Sequence, residues 1–124
     1  MNVVDSSGWL EYFADGPNAA VFAKPIVETG SLIVPVLSIF EVFKRVMTQR
    51  GEDVALEAIA MMRQGKVVPL DDTLALDAAR LSVQRRLPMA DSIILATAIA
   101  HRATLWTQDA DFEDVSSVRY VRKS

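Results

Sequence analysis

Four carboxylates, at positions 5, 41, 91 and 109, carry the chemistry that this sequence can offer. The chain has no cysteine and a single histidine, so neither a thiolate nucleophile nor a sulfur or paired-imidazole metal site can be assembled. His101 has no histidine partner and reads as an ordinary residue at a helix C-terminus. Oxygen donors without nitrogen or sulfur select hard cations, and a few carboxylates with several waters suit Mg2+ or Mn2+ better than zinc. The reaction such a set supports is phosphodiester hydrolysis, with the protein supplying acceptor ligands and geometry rather than a nucleophilic side chain. Each acid also has an ordinary alternative role. Asp91 lies near the start of an apolar helix, where a carboxylate can simply cap free N-H groups.

The elements that must bring these acids together can be read along the chain. Val3-Val4 is a short β-branched run ending at Asp5, and Ser6-Ser7 can cap a helix through Trp9 and Phe13. Asp15-Gly16-Pro17-Asn18 is a turn, followed by a helical stretch from Ala19 to Glu28 that Pro25 can kink or cut. Leu32-Ile33-Val34 reads as a second strand stopped by Pro35. Val36 to Arg50 then forms a helix with Gly51 as its stop. On that helix Ile39, Phe40, Val42, Phe43, Val46 and Met47 make the apolar arc, and Glu41 falls on the solvated side with Leu37, Lys44 and Arg45.

Glu52 to Arg63 is a further helix, Val67 to Leu70 a third strand weakened by Pro69, and Asp72-Thr73 opens a helix that ends near Arg85-Arg86. Pro88 to Ala100 is the most apolar helix of the chain. From Ile93 to Ala100 only Thr97 is polar, so the helix is expected in the interior, and it is too short to span a bilayer. Thr104 to Thr107 is a strand delivering Gln108-Asp109-Ala110-Asp111, in which either aspartate could supply the ligand. Val118 to Val121 is the last strand. Asp71, Asp72 and Asp114 read as helix-start or loop acids.

Strands separated by helices imply an α/β fold with a mostly parallel sheet covered on both faces, which binds ligands beyond the carboxyl ends of its strands. Asp5 and Asp109 end strands, Glu41 lies about one and a half turns into a helix that follows a strand, and Asp91 lies near a helix start, so all four can reach one edge. A chain of 124 residues makes one domain, residues 1–124, able to bury a core without disulfides. No leader or membrane-spanning pattern is expected, and the missing cysteines are compatible with a cytoplasmic setting. The net charge of −3 gives no global attraction to nucleic acid. A nucleic-acid substrate would therefore need cations and a local basic rim, for which Lys44, Arg45, Arg85 and Arg86 are the candidates. The 51 % apolar share points to a surface covered by a partner or a second subunit, with Trp9, Tyr12, Phe13, Phe40 and Phe43 as contributors to core and partner surface.

In order and spacing, Val3-Val4-Asp5-Ser6-Ser7-Gly8-Trp9, Val34-Pro35 followed by Glu41-Val42, Ala90 to Ala98, and Thr107-Gln108-Asp109-Ala110-Asp111-Phe112 resemble the PIN domains, especially the VapC-type toxins. The resemblance covers nearly the whole chain. It implies a three-layer α/β/α sandwich with a central sheet of four or five strands, and a magnesium-dependent endoribonuclease of a toxin-antitoxin pair whose acidic positions map onto Asp5, Glu41, Asp91 and Asp109. It also implies a homodimer, and an antitoxin that covers the acidic cleft and often inserts an arginine there. Two other classes remain on the residues alone: an inactive interaction module of the same fold, and a phospho-acceptor signalling domain. The latter would want paired acids after the first strand and a lysine after a late one, where this chain has Ser6 after Asp5 and Gln108 after Thr107.

Overall fold

The computed structural model covers residues Met1–Ser124. Its strands are β1 (Asn2–Val4), β2 (Leu32–Pro35), β3 (Lys66–Val68), β4 (Thr104–Thr107) and β5 (Val118–Tyr120). The helices are α1 (Ser6–Phe13), α2 (Ala19–Val27), α3 (Val36–Arg50), α4 (Glu52–Met62), α5 (Asp72–Arg85) and α6 (Met89–Ala100). The five strands form one sheet in the order β3-β2-β1-β4-β5, and every neighbouring pair is parallel. Chain direction across the sheet reverses between β1 and β4, which opens a crevice beyond their carboxyl ends.

Alternation along each strand builds two cores. Val4, Leu32, Val34 and Trp106 face Trp9, Phe22, Val42 and Ile59 of α1–α4. Val3, Ile33 and Leu105 face Ile94, Leu95 and Ala98 of α6, with Phe112 alongside. Successive residues of a strand point to opposite faces, so Val3 and Val4 alone commit the chain to helices on both sides. α5 rests on α6 through Leu74, Ala78 and Ala96. The result is the expected three-layer sandwich.

Several local expectations are modified. Asp5, not Ser6 or Ser7, caps α1, because the strand ends one residue before Asp5 and the serines already lie within the helix. β3 stops at Val68, ahead of Pro69, whose missing N-H suits it only to a strand end or edge. α2 runs through Pro25 without a break, with the proline ring buried. α6 is interior from Ile94 to Ala98 but leaves Ile99 and Ala100 exposed at its C-terminal turn. Within the α3 arc, Val42 and Val46 are buried while Phe40 and Met47 face solvent.

Gly8 sets how closely α1 approaches the sheet. A Cβ there would lie 2.6 Å from Val4 Cγ1 and 2.7 Å from Phe22 Cδ1, inside two fully buried side chains. Overpacking of this kind costs about 1–3 kcal/mol. Gly8→Ala is expected to lose stability in that range, measured by urea unfolding with an unchanged m-value.

Candidate metal centre

The acids collect at the crevice between β1 and β4. Asp91, Asp109 and Asp111 each offer a carboxylate oxygen, and these three atoms lie within 4.8 Å of one another. Asp109 and Asp111 flank Ala110 in the short 3-10 turn after β4. Asp109 accepts from the Asp111 backbone N-H at 2.9 Å, which tightens the turn and holds both carboxyl groups near Asp91. The two aspartates that the sequence left as alternatives are thus both present.

Asp91 sits in the first turn of α6, but Pro88 holds the N-cap position and the Asp91 side chain bonds no backbone N-H of the helix. Capping therefore does not account for it. Burial, the Asp109 charge and a hydrogen bond to Asp111 that only a protonated carboxyl can donate push its pKa up to about 8, with the charges of Asp111 and Asp5 adding to the shift.

Asp5 lies beside this trio, close enough for its charge to act on Asp91 and for Asp109 to act on it. It is almost wholly buried, and its oxygens are heavily engaged. Oδ1 accepts from Ser7 Oγ at 2.7 Å and from the Gly8 N-H at 2.9 Å; Oδ2 accepts from Thr107 Oγ1 at 2.5 Å. Burial raises its pKa to about 6 despite these donors. Glu41 is partly buried rather than solvated, since Ser6 Oγ donates to its Oε1 at 2.6 Å and ties α3 to the start of α1. It lies outside the three-carboxylate group, joined to Asp5 only through the neighbouring Ser6.

The supporting residues were not legible in the sequence. Thr107, fully buried, bonds Asp5 and accepts from the Asp109 N-H at 2.9 Å, so one hydroxyl fixes acids from two strands. Gln108 N-H donates to Ser7 Oγ at 3.3 Å, and Asn18 Nδ2 donates to Gln108 Oε1 at 3.0 Å. The only local signal for this web is a run of hydrogen-bonding residues flanking the acids. Of the rim candidates, Lys44 and Arg45 share a hollow of about 420 Å³ with Glu41 and Phe40. Arg85 and Arg86 end α5, exposed, and line neither this hollow nor the larger cavity beside the site.

The donor set fits a divalent cation. Three oxygen ligands converge, no basic side chain pairs with any of them, and the chain's one salt bridge, Arg80 to Asp77, lies elsewhere. The elevated pKa of Asp91 comes first from burial and then from the charges of Asp109, Asp111 and Asp5, which no basic side chain offsets and a bound cation would.

The chain belongs to the PIN domain family, whose model matches residues 3–118. PIN nucleases use divalent metal, and the acidic group stands where such an ion could be held. Solved structures repeat the fold at low identity. VapC20 of Mycobacterium tuberculosis, described as a sarcin-ricin-loop-cleaving toxin, superposes with a TM-score of 0.79 at 17 % identity, covering 99 % of this chain and all of its own. A toxin-antitoxin complex from Klebsiella pneumoniae gives 0.76 at 22 %, with 95 % of each chain covered. FitAcB from Neisseria gonorrhoeae gives 0.76 at 20 %, covering 99 % of this chain and 97 % of that one. No curated protein matches the chain significantly. No helix is long and apolar enough to cross a membrane.

Proposed function

We propose that the protein is a metal-dependent endoribonuclease, the toxin of a toxin-antitoxin pair, with Mg2+ or Mn2+ as its cofactor. The observation that carries this reading is the convergence of Asp91, Asp109 and Asp111, with Asp5 beside them, at the sheet's switch point. Asp91, Asp109 and Asp111 would hold the cation, Asp5 would add charge from behind, and Glu41 would border the site from α3. When bound, the cation supplies Lewis acidity to the attacking water and to the departing oxygen.

The protein's own groups do the positioning. Thr107 and Ser7 hold Asp5 in one orientation, and the short turn after β4 keeps Asp109 and Asp111 side by side. A fixed set of carboxylates needs no reorganisation when substrate arrives. The toxin role rests on the whole-chain likeness to VapC and FitA-FitB structures, and it brings a cognate antitoxin and a homodimer as partners. An inactive interaction module would have no need of an acid trio with its charge left unbalanced.

The decisive assay is cleavage of a mixed-sequence RNA pool by purified protein with Mg2+ or with chelator. Cleavage that appears only with the metal supports the reading; intact RNA under both conditions, with Mn2+ also tried, overturns it. The rim has its own test. Reversing Lys44 and Arg45 together is expected to weaken binding of single-stranded RNA and to lower the slope of log affinity against log salt by about 1.4, roughly 0.7 for each phosphate that is no longer neutralised. An unchanged slope removes them from the rim.

A further inference from the structure

Beside the acid cluster lies a second cavity, of about 460 Å³, between α1, α3, α4 and the C-terminal residues. Its inner wall is shared with the site. Ser7, which holds Asp5, and Gln108, which precedes Asp109, both line it. Gln108 is largely buried, and Asn18 donates to its Oε1, which fixes the amide plane and turns Nε2, which bonds no protein acceptor, to the solvent-reachable side facing the cavity. A donor held in one orientation and left free by the protein is available to an acceptor that a ligand brings.

The remaining walls match one chemistry. Leu10, Phe13, Val54 and Met61 are apolar, and the Phe13 ring is held flat by stacking on Trp9, with centroids 5.6 Å apart and planes 22° from parallel. Arg45, Arg50 and Lys123 stand around the opening, none in a salt bridge. Two acids are also present, Glu57 and Glu11, and the latter already accepts from the Asn18 N-H at 2.7 Å. A rigid aromatic wall, one oriented amide donor and free cations are what a single unstacked nucleotide needs: a surface for the base, a partner for its edge and charge for its phosphates.

We propose that this cavity is a nucleobase pocket for a nucleotide next to the scissile phosphate. Gln108 Nε2 donates to an acceptor on the base edge, Phe13 and Met61 lie against the base, and Arg45, Arg50 and Lys123 hold the flanking phosphates. The assignment rests on the ribonuclease reading and adds to it a source of sequence preference. A peptide side chain is the competing occupant, but three unpaired cations around a single amide donor favour the nucleotide.

Two measurements test it. In chelator, 15N-labelled protein is titrated with each of the four ribonucleoside 5′-monophosphates while the Gln108 side-chain amide signals are followed. At least one nucleotide is expected to move them, with affinities differing about tenfold between the best and worst base, as one hydrogen bond allows, and Arg50→Glu is expected to weaken the best binder. In parallel, Gln108→Met and wild type cleave a randomised RNA with Mg2+. The variant is expected to lose about tenfold in base preference at one position relative to the others, whereas a merely structural defect would lower all positions alike. No nucleotide-induced shift at Gln108, a shift caused only by a synthetic leucine-aspartate peptide, or an unaltered preference in Gln108→Met overturns the pocket. Nucleotides that bind at Gln108 in a protein that cuts no RNA leave the pocket standing and overturn the ribonuclease reading instead.

Discussion

Asp91→Asn is expected to cut RNA cleavage by more than about 100-fold, the upper end of what losing even an outer-sphere partner of a metal site costs, while leaving the metal-free protein at least as stable as wild type. The two halves share one cause. Asp91 is held at a pKa of about 8 against an ordinary value of 3.8, so at pH 8 and above the folded protein carries a carboxylate its surroundings resist. Between about pH 4 and 8 the folded chain keeps a proton that the unfolded chain has released. Stability of the metal-free protein therefore falls as pH rises through that window and levels off above it. Asp5, raised to about 6, contributes the same sign between about 4 and 6.

Asparagine removes the Asp91 contribution throughout that window, so the variant should show no slope between pH 6 and 8 and should keep, between 4 and 6, only the share due to Asp5. Because Asp91 is only partly buried, the gain at pH 8 is discounted to about 1 kcal/mol. Added Mg2+ should reverse the ranking. A cation bound at 100 times its Kd stabilises wild type by about 2.7 kcal/mol, and the variant should gain much less. Melting curves across pH, with chelator and with Mg2+, check all of this together with a cleavage assay. An active variant with an undiminished Mg2+ response would remove Asp91 from the site.

What the sequence disclosed depended on whether the relevant signal was local. Pro35 and Gly51 bracket α3, and its bounds, Val36–Arg50, are those the punctuation predicts. Thr104 to Thr107 is likewise the strand its residues describe. Where three capping residues stand in a row, as in Asp5-Ser6-Ser7, composition could not choose among them; the register of β1 against β4 does, placing Val4 opposite Trp106 and leaving Asp5 at the helix start. A helical wheel put Glu41 in solvent because it sees one helix, whereas the Ser6 bond that partly buries it comes from 35 residues away. Phe40 shows the reverse error: its place on the apolar arc predicts burial, and it is 62 % exposed because the neighbouring helices pack against Val42 and Val46. The polar web around Asp5 spans up to about a hundred residues of sequence, so no periodicity could announce it.

That web sets the second large effect, expected of Thr107→Val. The substitution keeps the shape and the β-branched fit to β4 but deletes a hydroxyl that donates to Asp5 and accepts from the Asp109 N-H. Thr107 is fully buried, so water does not replace the lost partner. A buried acceptor left without its donor, here Asp5 Oδ2, costs about 1–3 kcal/mol, and the loss should appear as reduced unfolding stability. Asp5 changes as well. The Thr107 bond holds its pKa down against burial, so without it the carboxyl rises above about 6 and the acid-side slope in stability extends to higher pH. Activity should fall by about 10- to 100-fold, the range for partners that orient metal ligands. Thr107→Ser restores the hydroxyl without the methyl group and should recover most of the activity while regaining the wild-type pH slope. Urea unfolding at several pH values and cleavage rates for the two variants read these outcomes. Equal activity in Thr107→Val and Thr107→Ser would mean that the Asp5 and Asp109 carboxylates hold their places without this bridge between β1 and β4.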